Sequence, residues 1–536
     1  MQYRGIYTMN SKKYSVWEGA LLLTAAAIIV KLLSVVYRIP YQNMTGDFGF
    51  YVFQQAYPFY AIAAAIAFTG FPMALSKMIV SEKNNNDHLI KTSVWTSFTL
   101  GVFSFVLLFF TAPFIARWMG DDNLELPIKV ISVLFLFIPF AAFLRGTYQG
   151  YGDMQLTAVS QLIEQTIRVS GILLLSYYFV SKGYTSYETG AAALSGSVIG
   201  ALASGLFLLF FWKKGFAKTY NPKAKIRFLY AAELLKTSVY LSLSALILAL
   251  MQLVDSFLFV NVWVGSGMDS YDAKILKGVF DRGQPLLQLG TVAAASIALA
   301  VVPEMATLVN KKKTAEIQFL AKLSVKISIV FGGAAAVGLI CIMKDLNVML
   351  FKNEDGSRAL AILCVSIIFV SIIYTTTGLL QGLGHGRFAA FTVLLAVAVK
   401  IAGNFVFIPI IGMEGAALST VLATFAAAAA QLVKLQSATR FLMRSQKAKL
   451  FYYIVSLIFM AVGVLAWLFI AKNVLFLADT RFHSMLISIS SSLIGAALYF
   501  ICIFKLRIFS QAEWDSVFHS VSLFKKLFKR LKKRRP

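Results

Sequence analysis

Acidic residues are scarce in this chain, with 24 Asp and Glu against 50 Lys and Arg in 536 residues, and cysteine (three) and histidine (four) are scarcer still. Cys341, Cys364 and Cys502 stand singly, without CxxC spacing or histidine partners, so neither a disulfide framework nor a metal site is supported. His88, His385, His483 and His519 fall in predicted loops or the tail, with no recurring carboxylate motif beside them. A membrane acyl- or glycosyltransferase would need a positioned base or an acidic metal-binding cluster, so the chain reads as a non-enzyme without cofactor.

Charge is short overall as well. Only 14% of residues are charged and 59% are hydrophobic, with a mean hydropathy of +0.74. Such a composition lies outside the globular range and describes a chain whose solvent is lipid. Apolar runs of roughly 20 residues, the length that crosses a bilayer, fall near 17–43, 50–79, 89–111, 128–148, 156–181, 188–212, 234–262, 279–307, 319–343, 359–381, 388–410, 414–436, 450–472 and 484–505. The expected fold is an all-α polytopic membrane protein of about fourteen helices. The first run is too long for a signal-peptide core and lacks a small-residue cleavage site, so the first helix is expected to remain in the mature protein.

Lys and Arg collect at Lys12 and Lys13, from Lys213 to Arg227, at Lys311 to Lys313, from Arg440 to Lys449 and from Lys525 to Arg535. With fourteen spans all of these fall on one side, which predicts a multi-pass cell-membrane protein with both termini cytoplasmic. The net charge of +26 invites a nucleic-acid reading. The basic residues sit in short loops beside membrane helices, however, where topology alone predicts them, and no nucleic-acid partner is expected. In the tail, Phe518, Leu523, Phe524, Leu527, Phe528 and Leu531 alternate with basic residues. That pattern suits an amphipathic helix on anionic lipid, or simply a solvated orientation signal.

Basic residues also occur inside the spans: Lys31 and Arg38 in the first, Arg168 in the fifth, Arg282 opening the eighth and Lys400 in the eleventh. A charge within a span costs at least a few kcal/mol, so it normally faces a protein interior or a water-filled path. A cationic surplus points to an anion on that path. Lys31, Ser34 and Arg38 recur at helical spacing and share one helix face, the two charges roughly 10 Å apart, close enough for a diphosphate to bridge. Snorkelling toward a helix end is the alternative explanation for Lys31 or Arg38. Glu164 and Arg168 lie one turn apart, and an internal ion pair accounts for them most simply. Arg145, by the end of the fourth span, fits either an entry site for phosphate or an ordinary cytoplasmic-side cation.

The chain also repeats itself. Gly146-x-x-Gln149-Gly150-x-Gly152 reappears as Gly378-x-x-Gln381-Gly382-x-Gly384, and the same offset lays Arg168 over Lys400 and Gly171 over Gly403. Gly190-Ala-Ala-Ala-Leu194-Ser195 resembles Gly415-Ala-Ala-Leu418-Ser419; Val52-Phe53 before Pro58 matches Val279-Phe280 before Pro285, and Pro72 matches Pro303. Matches in one order indicate two six-helix units, 1–213 and 228–437, in the same membrane orientation. Two further helices span 450–505, and a basic tail covers 506–536. Parallel repeats place a substrate path at the interface of two bundles that rock against each other, although a duplicated static scaffold or pore would show the same repeat.

The six-plus-six-plus-two plan, with Arg145-Gly146-x-x-Gln149-Gly150, Ser160-Gln161-x-x-Glu164-Gln165-x-x-Arg168-Val169 and Asp281-Arg282-x-Gln284-Pro285, resembles the multidrug/oligosaccharidyl-lipid/polysaccharide exporter superfamily. Within it the chain is similar to the branch of bacterial lipid II flippases and related polysaccharide-biosynthesis and sporulation proteins of Gram-positive bacteria. The resemblance implies outward transfer of an undecaprenyl-diphosphate-linked saccharide by alternating access, with the last two helices forming a groove for the lipid tail. It places the chain in the bacterial cytoplasmic membrane and matches Arg38 and Arg282 to cavity arginines of the family; with Lys31, Ser34, Arg145 and Arg168 these are the candidate substrate contacts. Guanidinium groups suit bidentate phosphate binding. The expected partners are the lipid-linked saccharide and anionic membrane lipids, and the expected state is a monomer.

Two departures qualify the resemblance. The family usually carries an arginine shortly after the second-helix proline, whereas Pro58 here is followed by Phe59, Tyr60, Ala61 and Ile62. Sodium-binding relatives would place ligands at Asp255, Lys400, Asn404 and Thr420. Here Lys400 stands for a neutral ligand and Asn404 for a carboxylate. An ammonium has only donors and cannot ligate a cation. Lys400 is therefore expected to act as a built-in cation paired with Asp255, leaving coupling to the membrane potential or to a monovalent cation elsewhere. Two charges crossing 100 mV correspond to about 4 to 5 kcal/mol. The competing function is a cation-coupled multidrug exporter of the same superfamily. Such pumps favour acidic residues in the first cavity, where this chain has Lys31 and Arg38. A scaffold for envelope machinery would not require the buried cations.

Overall fold

Lipid offers no partner to backbone N–H and C=O groups, so long apolar runs must satisfy them internally as helix. The computed structural model describes residues 16–82, 86–215, 224–242, 246–440, 447–473 and 480–515, and all regular structure among them is helical. The first half comprises α1 (Val16–Val36), α2 (Arg38–Ala65), a π-helical turn (Ile66–Gly70) leading into α3 (Phe71–Ser81), α4 (Asn86–Trp118), α5 (Glu125–Ser132), α6 (Leu134–Gly150), α7 (Met154–Ser181) and α8 (Ser186–Gly215). The second half comprises α9 (Phe228–Ser242), α10 (Ile247–Gly265), α11 (Ser270–Asp281), α12 (Gly283–Gly290), α13 (Val292–Asn310), α14 (Thr314–Cys341), α15 (Met343–Phe351), α16 (Ser357–Gly382) and α17 (Gly386–Thr439). Two further helices, α18 (Lys447–Asn473) and α19 (Arg481–Lys505), follow. The tail beyond 515, read from sequence as amphipathic, lies outside the described residues.

Among the described residues, ten helical stretches are long and apolar enough to cross a membrane, which makes the chain a multi-pass membrane protein. The sequence expectation was about fourteen crossings. Part of the difference is that two of the ten double back. Ala25–Ser81 would run roughly 85 Å as one straight helix, far beyond the ~30 Å hydrocarbon layer. It turns at Gly46 (φ +70°), and beyond the turn the Phe53 ring lies 4.8 Å from that of Tyr41. Glycine adopts this left-handed geometry without steric cost. Gly386–Thr439 likewise reverses at Ile411–Gly412 (Gly412 φ +60°). Lys400 and Thr420 would otherwise sit about 30 Å apart along a helix, but their side chains are 2.7 Å apart.

The repeat read from sequence reappears as packing. Gly146 and Gly150 seat against Pro72, Leu75 and Ile79 of α3, and their counterparts Gly378 and Gly382 seat against Ala298, Val302 and Met305 of α13. Gly152 and Gly384 both have positive φ just after these helices. Gly171 lies against Gly196 of α8, and its counterpart Gly403 lies against Ser419. Small residues at these crossings let backbones approach, as helix packing in lipid requires.

The halves meet tightly at the end of the bundle carrying the Gly46 turn. There Asp47 binds Arg282, Asp121 pairs with Lys274 at 3.1 Å, and the Phe48 and Tyr271 rings lie 5.1 Å apart. Asn43 donates to the Leu350 carbonyl at 2.7 Å, and Lys352 donates to the Asn43 carbonyl at 3.2 Å. A Cβ on Gly278 would collide with the Asp47 carbonyl, so this seam tolerates no side chain there.

Candidate functional site

Lys31, Ser34 and Arg38 follow one face of a nearly continuous helix, since Tyr37 keeps helical dihedrals between α1 and α2. Their surroundings differ. Lys31 is exposed and lies with its ammonium 5.4 Å from the ring of Tyr374 on α16, in the opposite half. Ser34 turns into its own half, donating to Gln165 and accepting from Arg168, both at 3.1 Å. Arg38 is wholly buried, and none of its three side-chain nitrogens has a hydrogen-bond partner. Its guanidinium stacks on the Tyr57 ring at 4.3 Å.

Arg168 joins this cluster. It donates to Gln165 and Ser34 and lies 4.4 Å from the ring of Tyr60 and 5.1 Å from that of Tyr37. Its Nη1 is unpartnered, as are the Tyr37 hydroxyl and both amide atoms of Gln54 and of Gln55. The interior of the first half thus holds two guanidinium groups solvated by aromatic faces and short of acceptors. Buried donors are nearly always satisfied, so such a concentration of orphans indicates a place for water or an anion.

The ion pair expected between Glu164 and Arg168 is not formed. Glu164 pairs instead with Arg145 at 2.6 Å, both fully buried, while Arg145 also donates to Ser160 and covers the Phe68 ring. Sequence spacing favoured the one-turn neighbour, but α6 packs on α7 and brings Arg145 onto the carboxylate. Ser204 of α8 adds a 2.9 Å hydrogen bond to the same oxygen. Arg145 is thereby enclosed and neutralised in this conformation rather than held open for entering phosphate.

Arg282 is also paired. Its Nε and Nη2 form a bidentate contact with Asp47 at 2.9 and 2.6 Å, and Nη1 reaches Asn353 at 2.5 Å. The fork geometry that suits a phosphate is here occupied by a carboxylate from the other half. Asp47 went unassigned in the sequence reading. It directly follows the glycine turn and is one of the few acids near an apolar run, which was the available signal.

In the second half, Asp255, Lys400, Asn404 and Thr420 converge. The Lys400 ammonium touches Asp255 at 2.7 Å, Thr420 at 2.7 Å and the Ala416 carbonyl at 2.8 Å, while Asn404 donates to Asp255 at 2.9 Å. Three acceptors satisfy the three ammonium protons, and all four side chains are buried. Next to them Lys277 pairs with Asp281 at 2.5 Å, leaving the Asp281 Oδ1 without a hydrogen bond. The repeat makes the contrast plain. Arg168 and Lys400 occupy equivalent positions, but Lys400 has a carboxylate where Arg168 has the neutral acceptors of Ser34 and Gln165.

Comparison with known proteins agrees with this architecture. The family model for "Polysaccharide biosynthesis protein" matches residues 16–309. The chain is 38% identical over 519 residues to the Bacillus subtilis uncharacterised membrane protein YabM, covering 95% of this chain and 96% of that one. It is 23% identical to the Bacillus subtilis lipid II flippase MurJ, covering 91% and 95%. A solved structure titled lipid II flippase MurJ, inward closed conformation, superposes with a TM-score of 0.66 at 15% identity, covering 91% of this chain and 99% of that one. The chain belongs to the polysaccharide biosynthesis protein family of the multidrug/oligosaccharidyl-lipid/polysaccharide exporter superfamily. It is a transporter by family and not an enzyme.

Proposed function

We propose that this protein carries an undecaprenyl-diphosphate-linked saccharide, lipid II or a polysaccharide precursor, from the cytoplasmic to the outer leaflet by alternating access. The observation that carries this reading is the buried guanidinium of Arg38 beside Arg168, stacked on Tyr57 but without a hydrogen bond or ion pair among the described residues. A charge kept in the interior without a counter-ion is costly unless an anion arrives to meet it. A diphosphate supplies the acceptors that Arg38 lacks. A cationic drug would be repelled by the same cluster, which weighs against multidrug export.

The proposed topology has fourteen crossings: the ten qualifying stretches, two of them doubled back, together with α7 and the broken run α11–α13. Residues 1–213 and 228–437 form the two lobes and 450–505 a groove for the lipid tail. With both termini cytoplasmic, the Asp47–Arg282 seam is the outer gate, shut in this conformation. Lys31 then lines the cytoplasmic approach, while Arg282 becomes available to phosphate only when the seam opens. The working unit is a monomer, since each chain supplies both lobes.

Asp47→Asn is expected to shift the protein toward outward opening about tenfold or more, because a charge-assisted bidentate contact contributes ~1.5–3 kcal/mol. Disulfide trapping between Phe48→Cys and Tyr271→Cys reads this directly. Unchanged trapping in Asp47→Asn would remove Asp47 from the gate.

Coupling follows from Lys400. A covalently held ammonium at Asp255 leaves no vacancy for sodium there, so transfer is expected to proceed equally in sodium and in choline buffers and to respond to membrane potential. Strict sodium dependence, with sodium bound at wild-type Asp255, contradicts this reading. Lys400→Ala is expected to create sodium sensitivity where none existed.

A further inference from the structure

A cavity of about 390 Å³ lies between α15, the start of α16 and the end of α18, away from the Arg38–Arg168 cluster. Its lining includes Lys344, Asp345, Arg358 and Lys472 above the apolar side chains of Leu468 and Phe469. Asp345 is nearly buried and is held by Lys472 at 2.9 Å. Lys344 meets Glu354 at 3.2 Å, but both are well exposed, and a pair of that kind is readily surrendered to a stronger partner. Arg358 is exposed and has no hydrogen bond or ion pair among the described residues. The rim therefore carries three cations against one committed carboxylate.

Below this rim runs an apolar track. Phe459, Val462, Leu465 and Phe469 are all exposed and recur at helical spacing down one face of α18, ending at the cavity. A cationic rim at the head of a lipid-facing apolar column is the composition that recognises a phosphate on a hydrocarbon chain. The cavity is at the small end of the range for ligand pockets, which favours a compact headgroup over a diphospho-oligosaccharide. It also opens beside the sealed end of the bundle, where Arg481 of α19 donates to the Met349 carbonyl of α15.

We infer that this cavity is a binding site for the headgroup of an anionic phospholipid, held by Arg358 and Lys344, whose acyl chain follows the exposed face of α18. The bound lipid fastens α18 and α19 to the α15–α16 corner.

The test uses the full-length protein in detergent, titrated with phosphatidylglycerol, phosphatidylcholine or undecaprenyl phosphate. Binding is read by native mass spectrometry and by maleimide labelling of Cys341, which lines the cavity, on a Cys502→Ala background with Cys364 buried. Phosphatidylglycerol is expected to be retained about tenfold better than phosphatidylcholine and to slow labelling of Cys341. Both effects are expected to vanish in Arg358→Ala/Lys344→Ala, a pair of surface changes that leaves the buried Lys472–Asp345 contact in place. Equal protection by the two phospholipids, protection that survives the double variant, or protection by undecaprenyl phosphate alone each overturns the assignment. The first two remove charge recognition from this cavity, and the third gives it to the carrier lipid.

Discussion

Arg38→Ala is expected to lower outward transfer of a polyprenyl-diphosphate saccharide by about 10- to 100-fold while leaving the fold intact. The magnitude is that of losing charge-assisted hydrogen bonds to a phosphate, ~1.5–3 kcal/mol. The selectivity for function follows from the geometry. Arg38 makes no side-chain hydrogen bond, so truncation strands no partner in the interior. It forfeits the stacking on Tyr57, worth about 0.5–2 kcal/mol, and relieves the desolvation of an unpaired charge, which opposes that loss. Thermal unfolding in detergent and transfer in reconstituted vesicles separate the two effects. A large drop in unfolding temperature with proportionate loss of transfer would make Arg38 structural.

Glu164→Ala has the opposite signature. It leaves the fully buried Arg145 guanidinium without its carboxylate, and breaking one side of a buried pair typically costs ~3–5 kcal/mol. The variant is expected to unfold at markedly lower temperature or denaturant and to express poorly. Arg145→Ala/Glu164→Ala is expected to recover much of that loss, because no uncompensated charge remains. Transfer per folded molecule should change little in the double variant. A double variant that folds well but fails to transfer would return Arg145 to the substrate path.

These two residues show how far sequence reaches. Hydrophobic length and the glycine repeat made the helical plan legible, because membrane crossing and helix packing act on local pattern. The Asp255–Lys400–Asn404–Thr420 set was legible through family resemblance together with the four-residue spacing of Lys400 and Asn404. Pairing across helices was not. Glu164 sits one turn from Arg168 in sequence, yet its partner comes from α6, a choice made by how α6 packs on α7. Arg282 was legible as a cation opening a span, but its occupation by Asp47, 235 residues away, depends on the conformation in which the halves meet. The reversals at Gly46 and Gly412 were legible too, since each falls in the gap between two separate apolar runs, 17–43 and 50–79 or 388–410 and 414–436.

Reconstitution of the protein in sealed vesicles, with undecaprenyl-diphosphate saccharides presented on the inner leaflet and their appearance outside followed with time, tests the central claim most directly. Outward transfer is expected to rise with an inside-negative potential, to fall 10- to 100-fold in Arg38→Ala and to need no sodium. Vesicles that export a cationic dye, with Arg38→Ala as active as the wild type and no lipid diphosphate transferred, would contradict it and make the buried cations structural.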